Sequence, residues 1–400
     1  MKGESVAYPM FEDNGLTVDQ RYKEIQKQGL LKVKLPYGEP CWLATRYADV
    51  RTVYGDRRFG RVLGLNRDAP GVWPGALAKN PTLLLNMDPP EHTRLRRLTA
   101  ETFSPRRIER MAGWVQRLVD ELLDDMVAQG KPADFVSVFS SNLPVRVLLR
   151  ILGVPETEAG EFRSMVDRAT ALDADAQTRE EAQQRTVAHI KGLIAERRAR
   201  HRDDLLSELV DARDQGDRLS EEELISLCMA LWHGGFKTTL WQLGKTVYTL
   251  LIHPQHWQEL LANQELLPAA LEELWRWIPS FKYGVPFVRW ASEDVELSDG
   301  TLVRAGEPVL PEITVANRDE SAFPHGWELD FHRVDPPTHL TLAYGPHYCM
   351  GAHLAHLQIK LTVQTLLRRF PTLALAVPQN QVLWSKSTFM RSIEALPLTW

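Results

Sequence analysis

Apolar residues recur with the 3.6-residue period of amphipathic helices over most of the chain. That spacing predicts helices over residues 46–54, 91–103, 105–128, 138–152, 181–200, 265–278 and 352–369. The longest periodic stretch runs from Ser220 to about Leu251. Ser220 and Glu223 read as a capping box at its start, and His253-Pro254 ends it. Strand-like pieces lie nearer the ends, at 31–35, 41–44, 285–290, 295–297 and 396–400. A mainly α protein with small peripheral β-sheets is expected.

Composition narrows this picture. No Gly/Ser-rich linker, charge block or internal repeat divides the 400 residues, so residues 1–400 are expected to form a single domain. The hydrophobic content of 44% supplies a large core. A net charge of −5 argues against a nucleic-acid partner. Residues 1–10 lack a basic region followed by an apolar core, and no stretch approaches about 18 uninterrupted apolar residues. A soluble, cytoplasmic monomer without a membrane span is the expectation. The three cysteines, Cys41, Cys228 and Cys349, show no metal-site spacing and suggest no disulfide framework.

Candidate chemistry concentrates in four places. Cys349 lies in Tyr344-Gly345-Pro346-His347-Tyr348-Cys349-Met350-Gly351, just ahead of the 352–369 helix. A helix N-terminus stabilises a thiolate, and a thiolate so held is a good ligand for haem iron. Gly345 and Gly351 let backbone pass close to something flat or bulky. The spacing alone serves a buried structural cysteine equally well. Within the longest helix, Trp232-His233-Gly234-Gly235-Phe236-Lys237-Thr238-Thr239 carries paired glycines, which cost about 1 kcal/mol each against alanine inside a helix. Close helix packing and a local opening toward a flat cofactor or dioxygen both account for them. Glu273 and Arg276 stand three apart on one helix face, and His92 and Arg96 stand four apart. Both members of the second pair can donate hydrogen bonds to a carboxylate.

Together these segments resemble the cytochrome P450 family over essentially the whole chain. Gly345, His347, Cys349 and Gly351 match the family pattern Phe-Gly-x-Gly-x-His-x-Cys-x-Gly, with Leu342 in place of Phe and Ala343 in place of Gly. Gly234, Gly235, Thr238 and Thr239 match the oxygen-side motif, while Lys237 stands where the family has a carboxylate. Glu273 and Arg276 match Glu-x-x-Arg; Ala316-Asn317-Arg318-Asp319 and Phe323-Pro324 resemble the stretch preceding the cysteine loop.

The resemblance implies a triangular prism of helices around a buried haem b, with Cys349 as the iron ligand. His92, Arg96, Arg289 and His347 would hold propionates, and Gly234, Gly235 and Gly351 would border the cofactor. Thr238, aided by Thr239, would help protonate bound dioxygen. Lys237 either points to solvent or a helix neighbour, or leaves protons to arrive through water or a substrate group. Trp73, Leu85, Trp232, His233, Phe236, Val285 and Phe389 are candidate substrate contacts. No nucleotide-binding fingerprint is present, so electrons for O2 would come from a ferredoxin and its reductase, with Arg106, Arg107 and Arg110 as possible steering groups. The resemblance is strongest to actinomycete members that tailor natural products, which implies monooxygenation of a polyketide- or macrolide-like secondary metabolite. Peroxide-driven or coupling chemistry, and non-catalytic haem binding, are the alternatives.

Overall fold

A computed structural model describes residues 5–11, 15–72, 80–170, 175–214, 219–282, 288–386, 388 and 390–400. The chain divides into two compact units.

The first unit comprises Met1–Thr93, Pro268–Cys349 and Phe389–Arg391. Its centre is a six-stranded mixed sheet in the order Val6–Ala7, Leu31–Lys34, Cys41–Ala44, Pro308–Pro311, Arg289–Ala291, Phe59–Gly60. Leu31 pairs with Leu43 in an antiparallel register that sends Val33, Cys41 and Leu43 to one face. There they pack on Trp290, Leu310 and Val315. Ala44 and Val309 face the other way, onto Val50, Val53 and Tyr54 of the helix Tyr47–Gly55. Side-chain alternation along each strand thus builds two apolar layers from one sheet. A second cement is ionic. Arg276, on the helix Leu267–Trp277, gives two hydrogen bonds to Glu273 at 2.7 and 2.6 Å. It gives others to the carbonyls of Asn317, Gly326 and Glu328. Glu273 also accepts from Arg333 and from the Asp330 N–H. The irregular segment between residues 317 and 333 is pinned by these bonds.

The second unit comprises Arg94–Leu267, Met350–Thr388 and Ser392–Trp400. It is built from helices, with a three-stranded sheet in the order Ala374–Leu375, Pro397–Thr399, Ala133–Asp134 and a two-stranded ribbon. The helix Pro105–Gln129 packs along Ala352–Arg369, where Gln116 bonds Thr365 and Asp120 meets Arg369.

The structure departs from the sequence expectation in several elements. The 220–251 stretch is two helices, Glu221–Gly234 and Lys237–Ile252, divided at Gly235 and Phe236. The capping box at Ser220 and Glu223 is present. Residues 138–152 divide into a π-helical turn, Val136–Ser140, and the helix Leu143–Leu152. Tyr22–Gln28, Ala159–Thr170, Leu205–Asp214 and Pro254–Ala262 are additional helices. Of the expected strand at 285–290, Arg289 and Trp290 form part of the strand Arg289–Ala291; residues 285–287 lie outside the described residues.

Candidate functional site

The three cysteines have different surroundings. Burial pushes the thiols of Cys41 and Cys228 up to about 12, which keeps both protonated and inert. Cys349 is half-buried. Its loop is held by backbone hydrogen bonds. Cys349 N–H donates to Leu342 O at 2.8 Å, and Tyr348 N–H donates to Gly345 O at 3.0 Å. Gly345 holds a φ of +69°, and a Cβ there would stand 2.6 Å from the Tyr54 carbonyl oxygen. Only glycine meets both demands. Ala343 takes a φ of +62°, a left-handed conformation that an L residue adopts at a cost. The position that departs from the family pattern is therefore one where glycine has a conformational reason. Around Gly351 a Cβ would meet nothing within 4 Å.

Buried basic side chains gather in the same unit. His92 is 2% exposed and its ring lies 4.3 Å from that of His347. Arg289 is 3% exposed, with its guanidinium 5.4 Å from the centre of the Tyr54 ring. Arg61 is also buried and donates to Val288 O and Asn86 Oδ1. Burial, reinforced by Arg289, pulls Arg61 down to about 9, and burial lowers Arg289. Two guanidiniums that lose hydration to this extent favour a nearby anion. The Tyr54 hydroxyl is buried without a hydrogen-bond partner among the described residues. A carboxylate-bearing cofactor such as haem fits this donor set: it would accept from Tyr54 and neutralise the guanidiniums. Tyr54 and Arg61 escaped the sequence reading because no short motif marks them. Arg96 lies half-buried in the helix Glu91–Ala100.

In the second unit, the paired glycines part company. A Cβ on Gly235 would come within 2.8 Å of a Leu148 methyl and 2.5 Å of the Leu231 carbonyl, so Gly235 serves close helix packing. A Cβ on Gly234 would meet nothing within 4 Å, and Gly234 is exposed. Phe236, at φ −125°, interrupts the helix, and Thr238 Oγ1 donates to Gly234 O at 3.1 Å. The hydroxyl thereby satisfies a carbonyl at the opened turn. Thr238 is exposed, whereas residues 241–250 of the same helix are all buried. Thr239 is buried. Close packing accounts for Gly235, whereas Gly234 has open space around it.

Lys237 does not point to open solvent. Its ammonium stands 2.7 Å from Asp167 Oδ1, on the helix Ala159–Thr170. Asp167 carries no motif, and nothing in the sequence announced it. His233 is pulled down to about 4 by burial and then by the charge of Lys237, so it is a neutral imidazole near pH 7. Trp232 and Phe236 lie in the interior, with Phe162 4.1 Å from the Trp232 ring and 5.3 Å from Phe236. Leu85 is half-buried in the short turn Leu84–Asn86. Trp73, Val285 and Phe389 lie outside the described residues. Arg107 is engaged by Glu208 at 2.7 Å, while Arg106 and Arg110 are exposed.

With these features in place, the relatives of the chain can be compared. The cytochrome P450 family profile matches residues 66–392. The mycinamicin IV hydroxylase/epoxidase of Micromonospora griseorubida is 42% identical over 396 residues, covering 98% of each chain. The nocardicin C N-oxygenase of Nocardia uniformis subsp. tsuyamanensis is 42% identical over 399 residues, again covering 98% of each. The crystal structure of HinD with NMFT and NO superposes with a TM-score of 0.94 at 41% identity, covering 99% of this chain and 100% of that one. The chain belongs to the cytochrome P450 family. It is a monooxygenase with the mainly helical fold of that family, and the family implies a haem-iron cofactor, O2, a small-molecule substrate and redox partners. Among the described residues no helix is long and apolar enough to cross a membrane.

Proposed function

We propose that this monooxygenase oxidises a macrolide- or polyketide-like secondary metabolite in the cytoplasm, with haem b held through Cys349. The observation that carries the cofactor assignment is the contrast among the cysteines: two are sealed in apolar surroundings, and the third is half-buried on a loop whose glycine is required twice over. Haem bound there supplies the activation of dioxygen. The chain's own residues do the rest. Cys349 ligates, Gly351 leaves room beside it, and His92, Arg96, Arg289 and His347, joined by Tyr54, hold the propionates. Thr238 and Thr239 place hydroxyls at the opened turn, where Gly234 leaves room and Gly235 keeps the helix close to its neighbour. His233 offers a neutral ring to substrate.

The substrate class rests on relatives named for mycinamicin IV oxidation and for polyketide biosynthesis. Oxidation at carbon and at nitrogen are both represented at 42% identity, so the relatives do not choose the bond attacked. Electrons are proposed to come from an acidic ferredoxin with its reductase, for which the exposed Arg106 and Arg110 offer complementary charge. Residues 1–400 are proposed to act as one monomeric catalytic domain, since neither unit carries the full set of signature residues.

The test has two arms. The purified haem protein should give the carbon monoxide absorption of a thiolate-ligated haem, and Cys349→Ala should lose it. Retention of that spectrum in the variant overturns the ligand assignment. A spectral titration against macrolide, polyketide, peptide and indole metabolites should then show tightest binding to the first two classes, with an oxygenated product. Coupled dimers as sole product, or a peptide as the tightest ligand, would overturn the substrate reading.

A further inference from the structure

The residue at position 237 is electrostatically misplaced by itself. Lys237 is the first residue of the helix Lys237–Ile252, where the unpaired N–H groups already make the surroundings positive. No acidic residue stands in the first turn of that helix. The neighbouring helix supplies what is missing. Asp167 reaches Lys237 at 2.7 Å, and the lysine side chain is 14% exposed against 53% for the aspartate. Five residues earlier on the same helix, Phe162 packs on Trp232 and Phe236, which bracket the opened turn. The helix Ala159–Thr170 therefore grips that turn at two points, one apolar and one ionic. Lys237 also stands 5.7 Å from the Trp241 ring, so the ammonium is anchored between a carboxylate and an aromatic face.

We propose that Asp167 is a positioning residue for Thr238: by pairing with Lys237 it fixes the first turn of the second helix, and with it the hydroxyl that closes on the Gly234 carbonyl. The charged pair acts as a unit. Its carboxylate sits on the facing helix and its cation beside the threonine. A carboxylate placed at 237 alone would oppose Asp167 across the same short gap and push the helices apart. The inference rests on the proposed role of Thr238 in handling protons for dioxygen, but the structural part can be judged without it.

The test uses the full-length haem protein with five forms: native, Asp167→Asn, Lys237→Met, Lys237→Glu, and the charge swap Asp167→Lys with Lys237→Glu. Two readouts are taken on each. Hydrogen exchange is followed over residues 159–170 and 234–241. The fraction of consumed electrons that appears in product is followed with the metabolite found in the titration above. Asp167→Asn should raise exchange in both segments about threefold, the population change expected for losing a partly exposed ion pair. It should lower coupling of electrons to product while leaving the carbon monoxide spectrum unchanged. Lys237→Glu should be worse than Lys237→Met in both readouts, and the swap should restore both toward native. Native exchange and coupling in Asp167→Asn would overturn the proposal. So would a folded swap variant that behaves no better than Lys237→Glu alone. If the carbon monoxide signature is missing from the native protein, the haem reading fails, and the exchange arm still decides on the ion pair.

Discussion

Glu273–Arg276 and Asp167–Lys237 are both acid–base pairs between helical residues, yet they do opposite kinds of work. In the first, the side chains are 5% and 2% exposed, and Arg276 spends its remaining donors on three main-chain carbonyls. In the second, the aspartate side chain is 53% exposed. A buried, multiply bonded pair is worth most as a specification: removing one member strands a charge and several carbonyls. A half-exposed pair is worth little in stability, because water competes for each charge. The first unit thus fixes the segment before the cysteine loop rigidly, and the second holds its opened turn by a contact that can be changed without unfolding the protein.

The sharpest way to break this contrast is Arg276→Ala. It should cost about 3–5 kcal/mol: Glu273 keeps Arg333 but loses its bidentate partner, and the carbonyls of Asn317, Gly326 and Glu328 lose their donor. Denaturant unfolding measures the loss, and haem content should fall with it. A cost under about 1 kcal/mol would place Glu273–Arg276 in the same class as Asp167–Lys237.

A steric change in the second unit comes next. Gly235→Ala should cost about 1–3 kcal/mol by driving a methyl into Leu148 and the Leu231 carbonyl. Gly234→Ala should be neutral or stabilising by up to about 1 kcal/mol, since its methyl meets open space and alanine favours helix. Similar costs for the two would erase the division of labour between the glycines.

The most gradual effect is a pH dependence. His233 has its folded pKa lowered to about 4 from an ordinary 6.5. The unfolded chain therefore binds more protons between those values, and stability should rise with pH across that window and level off above it. One proton contributes a slope of at most about 1.4 kcal/mol per pH unit. Unfolding midpoints from pH 4 to 7, compared between native and His233→Gln, isolate that slope. An unchanged slope in the variant would remove His233 as its source.

What the sequence could and could not reveal follows from where each constraint resides. Gly345 was legible because a left-handed φ beside a close backbone approach demands glycine, while Cys349 and Thr238 stood out only through the spacing of the motifs that hold them. Ala343 was legible only as a departure, and its positive φ shows a conformation that suits glycine better. Asp167, Tyr54 and Arg61 were not legible, because their roles arise from distant segments brought together by packing. The break at Gly235 and Phe236 was hidden for another reason: buried apolar residues lie on both sides of it, so the helical period runs through without a visible interruption. The helix Ala159–Thr170, which carries Asp167, was missed although its 12 residues are amphipathic.

The bond from Thr238 to Gly234 has a consequence for polarity. A carbonyl oxygen can only accept, so the single hydroxyl proton of Thr238 is committed inward along the 3.1 Å contact. What the side chain turns outward is lone pairs. In this arrangement Thr238 greets its surroundings as a base-like acceptor, favouring a water or an O–H that points its own hydrogen at the threonine. To give a proton instead, Thr238 must first release Gly234.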